Sequence, residues 1–240
     1  KSIALLPSYP QPYLNLGNTL IDLKRPKQAL EVLEQVIKIK PDFAEAHNNL
    51  GIALIKLKKP VDAINSYREA VKINPGYADA HNNLANELVK SDKLEEGEIF
   101  YRKAIAANPM FVEAYISLGT TLQLLDKLEE AETVFRKIIE LKPNSVEAYA
   151  KLGATLKALN KLDVSEKYLR HALTLGPHNI EAHFDLGALL QSTKRLEEAE
   201  ICYKKALELK PDYAEALTNL GTTLHKLNKL EEAVLVFKAS

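Results

Sequence analysis

Prolines stand at positions 7, 41, 75, 109, 143, 177 and 211, each 34 residues from the next. A spacing kept over almost the whole chain constrains the fold more than any local motif, because it says that one structural unit recurs in register. The residues around each proline recur as well. Pro41–Gly51 reads PDFAEAHNNLG, Pro75–Ala85 reads PGYADAHNNLA and Pro211–Gly221 reads PDYAEALTNLG, with looser copies starting at Pro109, Pro143 and Pro177. Units of this size bury a core only against their neighbours, so the period predicts one elongated body.

Each unit predicts two helices. In residues 44–77 they run from Ala44 to Leu57 and from about Val61 to Ile73, joined by Lys58, Lys59 and Pro60, proline being tolerated at a helix start. Asp42 with Glu45, Asn144 with Glu147 and Asp212 with Glu215 have the spacing of a capping box. Acidic residues recur at the second position of most units (Glu45, Asp79, Glu113, Glu147, Glu181, Glu215), where they suit the positive end of the helix dipole. The recurrent proline ends the second helix. A Leu–Gly or Leu–Ala pair recurs in the first helix, as in Leu50–Gly51 and Leu84–Ala85. A small residue recurs in the second helix (Ala29, Ala63, Gly97, Ala131, Ser165, Ala199, Ala233), followed four residues later by a bulky one (Leu33, Tyr67, Tyr101, Phe135, Leu169, Tyr203, Phe237). Small against large lets paired helices approach and interlock. The units read as 10–43, 44–77, 78–111, 112–145, 146–179, 180–213 and an incomplete 214–240, with 1–9 as the tail of a preceding unit, so a fragment of a longer chain is expected.

The Leu–Gly pair, the aligned alanines, the aromatic and the closing proline resemble the tetratricopeptide repeat, a helix-turn-helix unit of 34 residues, over essentially the whole chain. Departures are mild. The fourth position of each unit holds Tyr13, His47, His81, Tyr115, Tyr149, His183 or Leu217 rather than Trp, and Ile138 replaces a second small residue. The resemblance implies an all-α fold, a right-handed α-solenoid superhelix whose first helices line an inner groove, and a non-enzymatic scaffold for protein–protein interaction.

At about 100° per residue, positions 4, 7, 8 and 11 of a first helix share the core side, while 2, 5, 6, 9, 12 and 13 share the other. In the first three units that other side carries Asn15 and Asn18, then Asn48 and Asn49, then Asn82, Asn83 and Asn86; Asn219 recurs in the last unit. Asparagine is a poor helix former, so the enrichment needs a reason. Its side chain offers both donor and acceptor, and a row of them could bond the peptide groups of an extended segment. Asn15, Asn49, Asn83 and Asn219 resemble the asparagine ladder of the tetratricopeptide superhelix of O-GlcNAc transferase, whereas Ser117, Lys151 and Asp185 interrupt it. The competing reading is that these amides are solvated or bond a neighbouring repeat. Lys56, Lys90, Lys157, Lys226 and His225 share the face and could meet acidic groups, and Leu14, Ile52, Ile116 and Phe184 are its variable apolar positions. The family's carboxylate clamp would need cations where units one to three carry Leu14, Asp79 and Asn83, so that clamp is rejected.

Catalytic and metal motifs are absent. His47, His81 and His183 fall on the packing side of their helices; His47 and His81 are one repeat apart, separated by more than one helix packed at about 8–10 Å, so a shared zinc at about 2 Å per ligand is not expected. Cys202 has no histidine in its helix, and one cysteine cannot form an intrachain disulfide. The chain has no glycine-rich phosphate loop. No cofactor and no metal are expected. Lys plus Arg and Asp plus Glu both number 32, which argues against nucleic acid or an anionic membrane as partner, and no apolar run is long enough to span a bilayer. The expected partner is a protein or peptide segment, extended or helical, bound in the concave groove, with self-association through uncapped ends as a further possibility and a cytoplasmic location. The alternative functions are the substrate-recognition or targeting arm of a larger enzyme, such as a glycosyltransferase or methyltransferase, and a self-assembling scaffold.

Overall fold

The computed structural model describes residues 10–239. The expected tail of a preceding unit, 1–9, lies outside them. The described residues hold 14 helices and no strand, an all-α helical-repeat solenoid. First helices are α1 (Pro10–Asp22), α3 (Ala44–Lys56), α5 (Ala78–Lys90), α7 (Val112–Leu124), α9 (Val146–Ala158), α11 (Ile180–Ser192) and α13 (Ala214–Lys226). Second helices are α2 (Pro26–Ile39), α4 (Pro60–Ile73), α6 (Leu94–Ala107), α8 (Leu128–Leu141), α10 (Leu162–Leu175), α12 (Leu196–Leu209) and α14 (Leu230–Ala239). Where the period predicts one elongated body, the chain divides into two compact units, up to Thr121 and from Leu122. In a repeat array each hairpin packs mainly on its neighbours, so compactness is a local property.

In the first unit α1 packs on α2, α3 on α4 and α5 on α6, with α2 against α3 and α4 against α5. Leu14, Leu20, Ala29, Leu33, Val36 and Ala46 form one core, and Leu54, Ala63, Tyr67, Leu84 and Leu88 form the next. The small-against-large expectation holds at Gly17, Gly51, Gly153, Gly187 and Gly221. A Cβ on Gly51 would lie 2.5 Å from the Tyr67 ring, and one on Gly17 would lie 2.8 Å from Leu33. In the second unit Leu169, Leu186, Leu190, Tyr203, Leu220 and Leu224 make a core. There Gly153 faces Leu169 and Gly187 faces Tyr203 in the same way.

The turns inside the hairpins carry a feature the sequence reading did not contain. Lys24, Lys58, Asp92, Asp126, Asn160, Lys194 and Asn228, one per repeat, all have positive φ between 56° and 64°. At the end of α3 the Lys58 amide donates to the Ile55 carbonyl and the Lys59 amide to the Leu54 carbonyl. That pairing is a Schellman closure, which satisfies the last carbonyls of the helix and reverses the chain into α4.

The helix starts correct the capping-box reading. The residue in the cap position of α3 is Phe43, not Asp42, and its side chain accepts no capping bond. Tyr77 and Tyr213 occupy the same place at α5 and α13. Phe43 is buried, so a ring packed under the hairpin takes the place of a polar cap. Where the ring is missing, the cap returns. Ser145 accepts from the Ala148 amide at 3.3 Å, and Asn179 from the Ala182 amide at 2.7 Å.

Ion pairs tie successive second helices of the second unit. Glu132 meets Arg136 at 2.8 Å on its own helix and Lys161 of the next hairpin at 2.7 Å. One repeat on, Glu166 meets Arg170 and Arg195, each at 2.8 Å. After another repeat Glu200 meets Lys204 at 2.7 Å and Lys229 at 2.8 Å. Burial alone would raise the Glu166 pKa, but hydrogen bonds from Arg170 and Arg195 bring it below the ordinary carboxylate value; Glu132 and Glu200 are lowered by their own pairs.

Candidate functional site

The asparagines of the first unit sit on α1, α3 and α5, and they bond one another. Asn83 Nδ2 donates to Asn48 Oδ1 at 3.0 Å, and Asn48 Nδ2 donates to Asn49 Oδ1 at 3.2 Å. Asn49 Nδ2 then donates to Asn18 Oδ1. One amide chain thus crosses three first helices. Asn48 also reaches the Tyr77 hydroxyl, whose pKa rises to about 12 chiefly through burial.

This corrects part of the sequence expectation. Asn48 is 3% exposed and Asn82 is 8% exposed, so position 5 is enclosed and does not face open solvent in these repeats. Leu14, at the same position, is buried as well, which removes it from the variable contact positions. Position 5 lies toward the next first helix, where α1 meets α3. Asn49 is buried, Asn83 and Asn86 are half-buried, and Asn15, Asn18, Lys56 and Lys90 are exposed. An amide has two donor hydrogens and two acceptor lone pairs. Asn83 spends one hydrogen on Asn48 and keeps its carbonyl and second hydrogen. Asn86 accepts from the Tyr101 hydroxyl at 2.6 Å, and Lys90 is held by Glu87 at 2.6 Å. Asn82 Oδ1 is buried with no partner. The corresponding carbonyl of Asn48 is satisfied by Asn83, but one repeat on that donor is replaced by the shorter Ser117, and the Tyr77 hydroxyl is replaced by Phe111.

Beside the amide chain lies a hollow of about 620 Å³, bounded by Ile21, Asp22, Lys24, Pro26, Ile52 and Lys56. Ile52 and Lys56 follow Asn49 on α3 by three and seven residues, one and two helical turns along the same face.

In the second unit the sixth position ties to the preceding repeat by other means. Asp185 pairs with Lys157 at 3.0 Å, and Asn219 lies near the Tyr203 hydroxyl, which donates to Gln191 Oε1 at 2.7 Å. His225 and Lys226 are exposed at the end of α13. A hollow of about 410 Å³ lies between α9 and α11, where Ala150 and Ala154 leave room among Gln123, Glu147, Lys151, Glu181 and Asp185. Sequence reasoning centred on asparagine missed it; the signal was the pair of alanines at positions that carry Asn48 and Ile52 in the second repeat.

The other candidates for chemistry have structural roles. The Nε2 of His47, His81 and His183 each donates to the carbonyl of Pro41, Pro75 or Pro177 at 2.9 Å, pinning a first helix to the linker before it. His81 is 3% exposed, stacks on Phe100 with centroids 5.8 Å apart and leaves Nδ1 buried without a partner. Burial, with Lys103 nearby, lowers its pKa against the raising effect of the Pro75 bond. Burial pushes the Cys202 thiol up to about 11, far from a nucleophile's range. Among the described residues no cluster of His, Cys, Asp or Glu has the geometry of a metal site, and no helix is long and apolar enough to cross a membrane.

A row of helical hairpins with a polar first-helix face defines a helical-repeat scaffold for protein interaction. Tetratricopeptide-repeat models match residues 17–58, 44–77 and 178–240. A further one matches 78–109, 112–145 and 146–179. The chain belongs to the tetratricopeptide repeat family, whose members generally bind proteins or peptides and serve as non-enzymatic scaffolds. Among solved structures it is similar to PilF of Pseudomonas aeruginosa, with a TM-score of 0.72 at 20% identity over 86% of this chain and 94% of that one. It is also similar to YrrB, a tetratricopeptide-repeat protein with an unusual peptide-binding site, with a TM-score of 0.67 at 22% identity over 78% of this chain and 97% of that one. MamA follows with a TM-score of 0.64 at 24% identity over 69% and 91%. Comparison with curated proteins gave no significant match.

Proposed function

We propose that the first unit holds an extended peptide segment on the face formed by α1, α3 and α5, with Asn15 and Asn83 as the amides that meet its backbone. The supporting observation is the amide chain from Asn83 to Asn18, which holds Asn83 by a bond and leaves hydrogen-bonding capacity at its rim, where Asn15 is exposed one helical turn before Asn18. Side chains already held lose less rotational freedom when a ligand arrives. Backbone recognition of this kind tolerates many sequences, as suits a scaffold. Asn18, Asn48, Asn49 and Asn82 serve as the support behind the contact face, and Asn86 is engaged by Tyr101. The match to YrrB is consistent with peptide binding on this repeat fold.

Peptides selected from a random displayed library against the protein provide the test. Asn83→Ala and Asn15→Ala should each weaken such peptides by about two- to tenfold, the value of one hydrogen bond. Unchanged affinity in both variants would remove this face as the binding site.

A further inference from the structure

The two turns that flank the hollow beside the amide chain carry Lys24, Arg25 and Lys27, then Lys56, Lys58 and Lys59. On the same turns only Asp22 and Asp62 are acidic. None of these six cations forms an ion pair among the described residues. The chain as a whole is electrically balanced, so this edge is a local excess that its own carboxylates leave uncompensated. The hollow's floor is apolar. Ile21 and Ile52 are half-buried, packed against the core on one side and open to the hollow on the other, and Pro26 adds a third apolar wall.

We propose that this hollow takes a bulky apolar side chain of the bound segment, and that the segment carries aspartate or glutamate next to it, facing Lys24 and Lys56. The proposal rests on the reading that α1, α3 and α5 hold a peptide, and adds the sequence class that peptide has. At about 620 Å³ the hollow falls within the roughly 300–1,000 Å³ of typical ligand sites, room for more than one side chain. The apolar group leaves water against Ile21 and Ile52, while carboxylates meet cations that have no internal partner. A rim with two lysines against one carboxylate, Asp22, gives orientation and salt-sensitive association more than raw affinity. The site differs from the carboxylate clamp, whose cation positions here hold Leu14, Asp79 and Asn83. A peptide is favoured over nucleic acid because the hollow has no aromatic ring on which a base could stack.

A random peptide library displayed on phage and panned on the full chain should yield a consensus with an aliphatic or aromatic residue beside Asp or Glu. A synthetic peptide of that consensus should lose at least about tenfold in affinity to the Lys24→Glu/Lys56→Glu double variant, and should bind more weakly as salt rises. Both lysines are exposed, so the variant should keep the far-UV spectrum of the parent. A consensus without acidic residues, or affinity unmoved by the double variant, overturns the proposal. If those peptides still weaken with Asn83→Ala, the peptide-binding reading stands without it; if neither set of substitutions matters, both fall. A mixed-sequence single-stranded oligonucleotide that displaces the peptide and binds more tightly would assign the edge to nucleic acid and overturn it as well.

Discussion

Lysine 58 is held in a backbone conformation that a residue with a Cβ adopts at a cost. Its φ is 60°, and the same is true of one residue in each described hairpin. Left-handed backbone costs an L-residue about 1–2 kcal/mol, more for lysine than for the Asp and Asn found at four of the seven positions. Glycine removes that cost but gives back about 0.5–1 kcal/mol in unfolded-chain entropy. Lys58→Gly should therefore raise stability by up to about 1 kcal/mol, read as a higher urea midpoint with an unchanged slope. A fall in the midpoint would mean that the lysine side chain makes a stabilising contact. These positions were hard to read because no glycine marks them. The caps were misread for a related reason. The pattern at Asp42 and Glu45 is real, but Phe43 buries its ring in the cap position and sets the helix start one residue later.

At the scale of the helix, the period located the elements well, and all seven first helices begin where it places them. What it could not settle was the contact face. A helical wheel assigns position 5 to the open side, yet Asn48 and Asn82 are enclosed, because a first helix in an array has a neighbour on each flank and not only a partner behind it. The histidine at position 4 belongs to the packed side, as the sequence implied, and it gives α5 a pH dependence. His81 is packed on Phe100, near Arg68, Lys72 and Lys103, and its folded pKa lies below the ordinary 6.5. Unfolding restores that ordinary value, so the unfolded chain binds the proton more readily, and stability is lost as pH falls below about 6.5 toward the folded value. His81→Leu, the residue that Leu217 supplies at the same position, should flatten the curve between pH 7 and pH 5. Chemical unfolding across that range checks it, and a variant with the parent's slope would place the titration elsewhere.

At the scale of the whole chain, the two units draw on charge differently. In the second, Glu132, Glu166 and Glu200 each bridge two cations, one of them on the next hairpin, and all three carboxyls have lowered pKa values. A lowered carboxyl contributes stability that is present above its unfolded value of 4.5 and lost as pH falls through its folded value. The first unit should thus begin to soften below about pH 6.5 through His81, and the second only below about pH 4.5. Net charge conceals this order, since it is zero overall, and so does the list of charged residues, because the bridges appear only when positions one repeat apart are read together. Glu166→Gln isolates the effect. It removes one of the two carboxylates that Arg170 and Arg195 share, Glu198 still pairing both, and each arginine side chain is close to half exposed, so the loss should be modest, at most about 1 kcal/mol. Because hairpins in an array transmit stability mainly to their neighbours, amide exchange should quicken in α10 and α12 and leave α3 and α4 unchanged. Uniform acceleration from Pro10 onward would show instead that the chain opens as one cooperative body.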